Sequence, residues 1–282
     1  MKPLLLVVVA LVLAGCGDGT NAVGAGPDLA EPPPVTLHLS ADDVVLDPWS
    51  WCWESGCVDG WHGGDLESVG SPTEVPFSFP EEDWEFTATF IEHGVKTCPR
   101  RISVPVSAAD DGTWLLRPAG PAGVWDVDLF GRGPGGDVIT TFTWTTPADG
   151  GAPAPSGSAA VLADHDGELD SYGVEIGVDN LAGQPREASA SVTVTGADGR
   201  SVTIDTRPQR ECYSEGSLWF TAGDEAGRAA TEIGAGPFEY VVELTLDGTT
   251  YTGRGTWPDD ETDDIAPHVP LTWTPALPAY TG

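Results

Sequence analysis

Alternating apolar and polar positions recur along most of this chain. Gly123-Val-Trp-Asp-Val-Asp-Leu and Pro237-Phe-Glu-Tyr-Val-Val-Glu-Leu place a large apolar residue at every second position, the period of a strand with one face buried. Further short runs rich in Val, Thr, Phe, Tyr and Trp lie at 35–39, 84–91, 138–144, 171–178, 190–195 and 270–273. Gly, Pro and Asp punctuate them at a spacing of about 8 to 12 residues, which favours a sandwich or barrel. Asp-Gly at 111–112, 198–199 and 247–248 supplies the positive backbone angles that tight hairpins need. Almost no helix is expected.

The first residues break this pattern. Met1-Lys2-Pro3 is followed by an unbroken apolar run from Leu4 to Leu13 and then by Leu13-Ala14-Gly15-Cys16. The run is too short to span a bilayer, which takes about 20 helical residues, and it reads as a processing signal. It resembles the bacterial lipobox. The resemblance implies that residues 1–15 are removed and that Cys16 carries acyl chains as the first residue of the mature protein. Two or three such chains hold a membrane far better than one. Residues 16–34 then read as the lipidated Cys and a flexible tether, stiffened at Pro32-Pro33-Pro34.

A second stretch poor in bulky residues, Thr146 to Ser158, has the composition of a linker. The expected organisation is a first β-sandwich at 35–147, a linker at 148–157 and a second β-sandwich at 158–282. An ordered series of matches suggests a diverged tandem repeat: Cys98 with Cys212, Ala119-Gly120-Pro121 with Ala235-Gly236-Pro237, Gly131-Arg132-Gly133 with Gly253-Arg254-Gly255, and Phe142-Thr-Trp144-Thr with Leu271-Thr-Trp273-Thr. The runs beginning at Gly123 and Pro237 resemble the late strand of immunoglobulin-like domains, where a ring lies near the strand start. The fold class expected is therefore all-β, with two tandem immunoglobulin-like antiparallel β-sandwich domains. As a whole the chain is similar to envelope lipoproteins of actinobacteria, a resemblance that implies location and architecture and assigns no activity.

Charge narrows the partners. With 44 acidic and 12 basic residues the formal charge is −32, which opposes any hold on a phosphate backbone, so nucleic acid is excluded as a partner. Loss of Lys2 takes the mature chain to −33, so anionic headgroups repel the folded part. The lipid is then the only expected membrane attachment. Location on the outer side of the cell membrane leaves an envelope protein or cell-wall carbohydrate as partner.

That location also makes disulfides the default for the remaining cysteines, Cys52, Cys57, Cys98 and Cys212. Every complete pairing needs a bond between the domains. The expected one is Cys52–Cys57 with Cys98–Cys212, and the alternatives join Cys98 to Cys52 or Cys57. A competing use is zinc, for which Cys52, Cys57, His62, His93 and Cys98 offer thiol and imidazole ligands. No cofactor is required, although calcium has a candidate site. Asp164, Asp166, Glu168 and Asp170 alternate around Gly167, as a hard cation with six to eight oxygens requires; the bland reading is a hairpin of solvated acids.

Trp49, Trp51 and Trp53 alternate with Ser50, Cys52 and Glu54, and Trp61 follows. In a strand the first three rings share a face. They read first as core and second as a stacking surface for sugar rings, whereas Trp84, Trp114, Trp125, Trp144, Trp219 and Trp273 read as core. No nucleophile elbow, zinc-protease or phosphate-loop motif occurs, and His38, His62, His93, His165 and His268 are scattered. The function expected is non-catalytic binding or interaction in the envelope. The alternatives are a carbohydrate- or cell-wall-binding protein, with or without calcium, and a hydrolase that carries no local motif.

Overall fold

The computed structural model describes residues 30–62, 64–109, 112–209, 211–262 and 267–280. The residues expected to form the lipobox, Cys16 and most of the expected tether lie outside the described residues. No helix among the described residues is long and apolar enough to cross a membrane.

Strands dominate, and they fall into two groups along the chain. Residues 35–146 form β1 (Val35–His38), β2 (Asp43–Leu46), β3 (Ser50–Trp53), β4 (Gly56–Val58), β5 (Val75–Ser78), β6 (Glu85–Glu92), β7 (Arg101–Pro105), β8 (Ser107–Ala108), β9 (Thr113–Leu116), β10 (Gly123–Gly133) and β11 (Gly136–Thr146). They pair as one sheet of order β2-β1-β5-β9-β8 and another of order β4-β3-β11-β10-β6-β7. Between them lies the first core. Phe77 of one sheet stacks on Trp114, and both meet Phe86 of the other sheet edge-on at 5.1 and 4.8 Å. The indole N–H of buried Trp144 donates to the Pro72 carbonyl, and that of Trp125 to Pro121, so these rings bury their area without orphaning a donor.

The second group comprises β12 (Ser156–Ala160), β13 (Ala163–His165), β14 (Glu168–Asp170), β15 (Val174–Asp179), β16 (Ala188–Thr195), β17 (Ser201–Asp205), β18 (Arg207–Pro208), β19 (Leu218–Ala222), α1 (Asp224–Thr231), β20 (Phe238–Leu246), β21 (Thr249–Trp257), β22 (Val269–Pro270) and β23 (Thr272–Thr274). Its two large sheets run β18-β19-β15-β12-β22 and β17-β16-β20-β21-β23, with β13-β14 a separate hairpin. Val174, Ile176 and Val178 of β15 face Tyr240, Val242 and Leu244 of β20 across a core of its own. The hydroxyl of buried Tyr240 accepts the Leu162 N–H, and burial pushes the phenol well above its ordinary pKa. Among the described residues helix is confined to this one short crossover, in line with the little helix expected from the sequence.

The two units share a strand order, and this corrects the sequence matches. In each, a long hairpin (β10-β11, β20-β21) pairs through its first strand with a second hairpin (β6-β7, β16-β17). Opposite lie β1-β5-β9-β8 and β12-β15-β19-β18. Ala119-Gly120-Pro121 and Ala235-Gly236-Pro237 do lead into equivalent strands. The other three matches do not correspond: Gly131 to Gly133 end β10 whereas Gly253 to Gly255 lie within β21, Trp144 is in β11 whereas Trp273 is in β23, and Cys98 precedes β7 whereas Cys212 precedes β19. Counted from the hairpin turns, Trp144 corresponds to Trp257 and Trp125 to Phe238, and both are cross-strand partners. The extra pair β2 and β3 comes early in the first unit, yet it occupies the places that β22 and β23 fill at the end of the second.

The expected linker is partly docked. Gly150 N–H donates to Gly120 O, Asp149 accepts the Ala122 N–H, and β12 already begins at Ser156.

Candidate functional site

The tryptophan stripe divides. Trp51 is in the first core, and Trp53 packs edge-on to Phe79 and against Trp84 at 5.7 Å. Trp49 leaves that face: its Nε1 donates to Thr141 Oγ1 on the outer side of β11, at 2.9 Å. The alternation rule applies to extended backbone only, and the chain bends at Trp49 before β3 begins. Gly60 lies tight against the bend, where a Cβ would stand 2.0 Å from the Trp49 carbonyl oxygen. Outside, Trp49 meets Trp61, which stacks on His62 at 4.7 Å. The expected shared face of Trp49, Trp51 and Trp53 is therefore not formed, and Trp61 is the one strongly exposed ring of that group.

The cysteines pair as Cys52–Cys57, clamping the β3-β4 hairpin, and Cys98–Cys212, joining the units. With the sulfurs bonded to each other, the thiolates that a zinc site needs are not available. The calcium candidate lies in the β13-β14 hairpin. Asp166-Gly167 is the two-residue turn between β13 and β14, and both residues have positive φ. Asp164 Oδ1 accepts the Gly167 N–H, and Asp170 Oδ1 accepts the Ser171 N–H. Asp166 and Glu168 project into solvent. Among the described residues no three His, Cys, Asp or Glu side chains are grouped to hold a metal ion.

Around Cys98–Cys212 the two units form a built joint. Arg100, 14% exposed, bonds Glu215 at 3.1 Å and the Ala182 carbonyl at 3.3 Å, and its guanidinium lies over the Tyr280 ring. Glu215 N–H donates to Pro99 O, and Arg101 N–H donates to Ser214 Oγ. The Arg101 guanidinium covers one face of Tyr213 at 4.5 Å, with Nε buried and without an acceptor.

A groove starts at this joint and crosses the outer face of the second unit. In β15 the apolar residues point inward, so Glu175, Gly177 and Asp179 point out. Ser158, Gly177 and Trp219 stand in one row across β12, β15 and β19. Because Gly177 has no side chain, the Trp219 indole lies over it; a Cβ there would be 2.9 Å from the ring. The central cleft, about 350 Å³, runs between Trp219 and Pro270, with Glu175 and Asp179 on its floor. Glu175 also lines the adjoining cleft that holds Tyr172. In the other direction Asp179 and Ser156 line a cleft reaching Tyr213 and, in the first unit, Thr89, Arg101 and Ser103. Tyr172 is 67% exposed, Tyr213 74% and Trp219 41%. The Tyr172 hydroxyl is hydrogen-bonded to His165 Nδ1, whereas Tyr213 and Trp219 are each covered on one face, by Arg101 and by the backbone at Gly177.

The sequence reading missed this groove. Trp219 sits in a strand-like run and was expected in the core, but Phe220 takes the inward position and turns Trp219 out. The signal available was that alternation, hidden because both neighbours of Trp219 are apolar. Tyr172 and Tyr213 carried no signal beyond their type.

One other titratable group is perturbed on the first unit's outer sheet face. Burial raises the Asp128 carboxyl above its ordinary pKa, outweighing the Thr141 hydrogen bond and the positive charges of Arg101 and His62, which lower it; Asp126 adds a small upward push. Asp126 itself accepts from Thr143 and is bonded to His93. No protein-family model matches the chain, and no curated protein matches it.

Proposed function

We propose that the protein is a lipid-anchored, extracytoplasmic binding module of the envelope that captures a ligand along the groove at its joint. The observation that carries this reading is the set of three exposed aromatic rings, Tyr213, Trp219 and Tyr172, along adjoining clefts. Rings fixed before binding lose little side-chain entropy on contact. The lipobox at Cys16 and the two disulfides support placement outside the cytoplasm. The shared strand order supports reading both units as immunoglobulin-like, with units at 35–147 and 158–282. In this reading the first unit and the tether set the distance from the membrane, and the disulfide-locked joint sets the angle at which the groove is presented.

The reading is tested by co-sedimentation of full-length oxidised protein, in mild detergent, with isolated envelopes stripped of membrane protein. Saturable association that is lost in the double variant Tyr213→Ala with Trp219→Ala, its circular dichroism unchanged, is the expected result. Association that survives both substitutions places the ligand elsewhere and ends the groove reading.

A further inference from the structure

Resting on that groove as the binding site, we infer that its ligand is an uncharged glycan chain. The groove follows β15 from Val174 to Asp179, about 17 Å at ~3.3 Å per residue, and continues to Tyr172 just before it, so it suits an extended chain and not a single small molecule. Its rings offer flat apolar faces. Tyr213 is backed by Arg101 and Trp219 by the bare backbone at Gly177, so the open faces are fixed platforms on which the C–H faces of pyranose rings can stack. Between the platforms stand hydroxyls and carboxylates, Ser156, Ser158, Glu175 and Asp179, which hydrogen-bond to sugar hydroxyl or acetamido groups.

Charge decides which glycans. Glu175, Asp179 and Glu211 line these clefts and form no ion pair among the described residues. Arg101 also lines the cleft at Tyr213, with its guanidinium over that ring, and along the adjoining clefts it is outnumbered by these carboxylates. A phosphate- or uronate-bearing polymer meets like charge in the groove and a whole-chain charge of −32 around it. A cationic peptide would satisfy the carboxylates, but extended peptides dock by adding backbone hydrogen bonds at a free sheet edge. Here the groove floor is the face of strands whose backbones are already paired on both sides, β12 with β15 and β22, and β15 with β12 and β19. An uncharged glycan needs no backbone partner.

Native-gel affinity electrophoresis of the full-length protein tests this with five matrices: hydroxyethyl cellulose, mannan and soluble N-acetylated chitin as uncharged glycans, polygalacturonate as an anionic one, and poly-lysine as a cationic peptide. Retardation by at least one uncharged glycan is expected, with an affinity reduced tenfold or more in Trp219→Ala, largely kept in Trp219→Phe, and reduced in Gly177→Val, whose side chain displaces the indole. No retardation by polygalacturonate is expected. Failure of all three uncharged glycans overturns the inference, as does retardation unchanged in Trp219→Ala. Retardation by poly-lysine alone, lost in Trp219→Ala, overturns the glycan assignment and leaves the groove as a binding site. Failure of the groove itself is read separately from the envelope assay above.

Discussion

Asp128 illustrates how one side chain carries opposing contributions. Thr141 Oγ1 donates to its carboxylate at 2.6 Å, and Trp49 Nε1 donates in turn to Thr141, yet burial outweighs these favourable contacts and raises its pKa. A carboxyl raised on folding contributes stability that is fully present below its unfolded pKa, about 3.9. That contribution is lost as pH rises through the folded value, so at neutral pH the buried charge is a cost. Asp128→Asn keeps an acceptor for Thr141 and removes the charge. Its melting temperature is expected to exceed that of the parent at pH 7, with the gain shrinking steadily as the buffer is taken toward pH 3.5. A gain independent of pH would show that desolvation of the carboxylate is not the cause. Trp144 is the opposite kind of residue, fully buried with its one polar atom satisfied. Trp144→Ala is expected to cost about 3 to 5 kcal/mol, the usual range for removing a large buried ring. Because the two cores are separate clusters, denaturant unfolding should show this loss in one transition while the other stays in place.

At the scale of elements, local chemistry explains what the sequence revealed. The β20-β21 turn is Asp247-Gly248 with φ of 45° and 84°, the two positive angles of a type I′ hairpin. Asp247 Oδ1 also accepts the N–H groups of Arg186 and Glu187. Gly248→Ala puts a Cβ on a backbone that L residues avoid, and is expected to lower the second unit's stability by about 1 kcal/mol, read from its urea midpoint. The same change at Gly167, in the separate β13-β14 hairpin, should leave that midpoint almost unmoved. β10 and β20 were legible because their inward face carries a large apolar residue at every second position, and β6 and β11 because they are runs rich in Thr and aromatic residues. Others were not. β5 carries Pro76, and β21 carries Gly253 and Gly255, positions where Trp273 and Val269 pack against the bare backbone. A glycine selected to receive a neighbour's side chain reads locally as a turn, and only the neighbour explains it.

Across the whole molecule the Cys98–Cys212 bond and the Arg100–Glu215 pair decide how the groove is presented. In the double variant Cys98→Ser with Cys212→Ser each unit keeps its own core, so both unfolding transitions should survive. Distances between spin labels placed on the two units should broaden, since a covalent restraint on their angle is gone. Ligand affinity should fall with them, because Tyr213 follows Cys212 directly. A distance distribution as narrow as the parent's would assign the angle to the salt bridge and ring contacts alone. Several features were determined by sequence alone: an all-β chain from the period of its apolar residues, paired cysteines, and a strongly acidic net charge. These are properties of composition and of neighbours a few residues apart. The tertiary structure alone decided that Trp49 turns away from Trp51 and Trp53, that three of the four apparent repeat matches are not equivalent, and that Tyr172, Trp219 and Tyr213 share a groove. The physical reason is that a ring becomes core or platform according to which side of a sheet its backbone presents, and that side is set by bends, register and glycine gaps in strands distant along the chain.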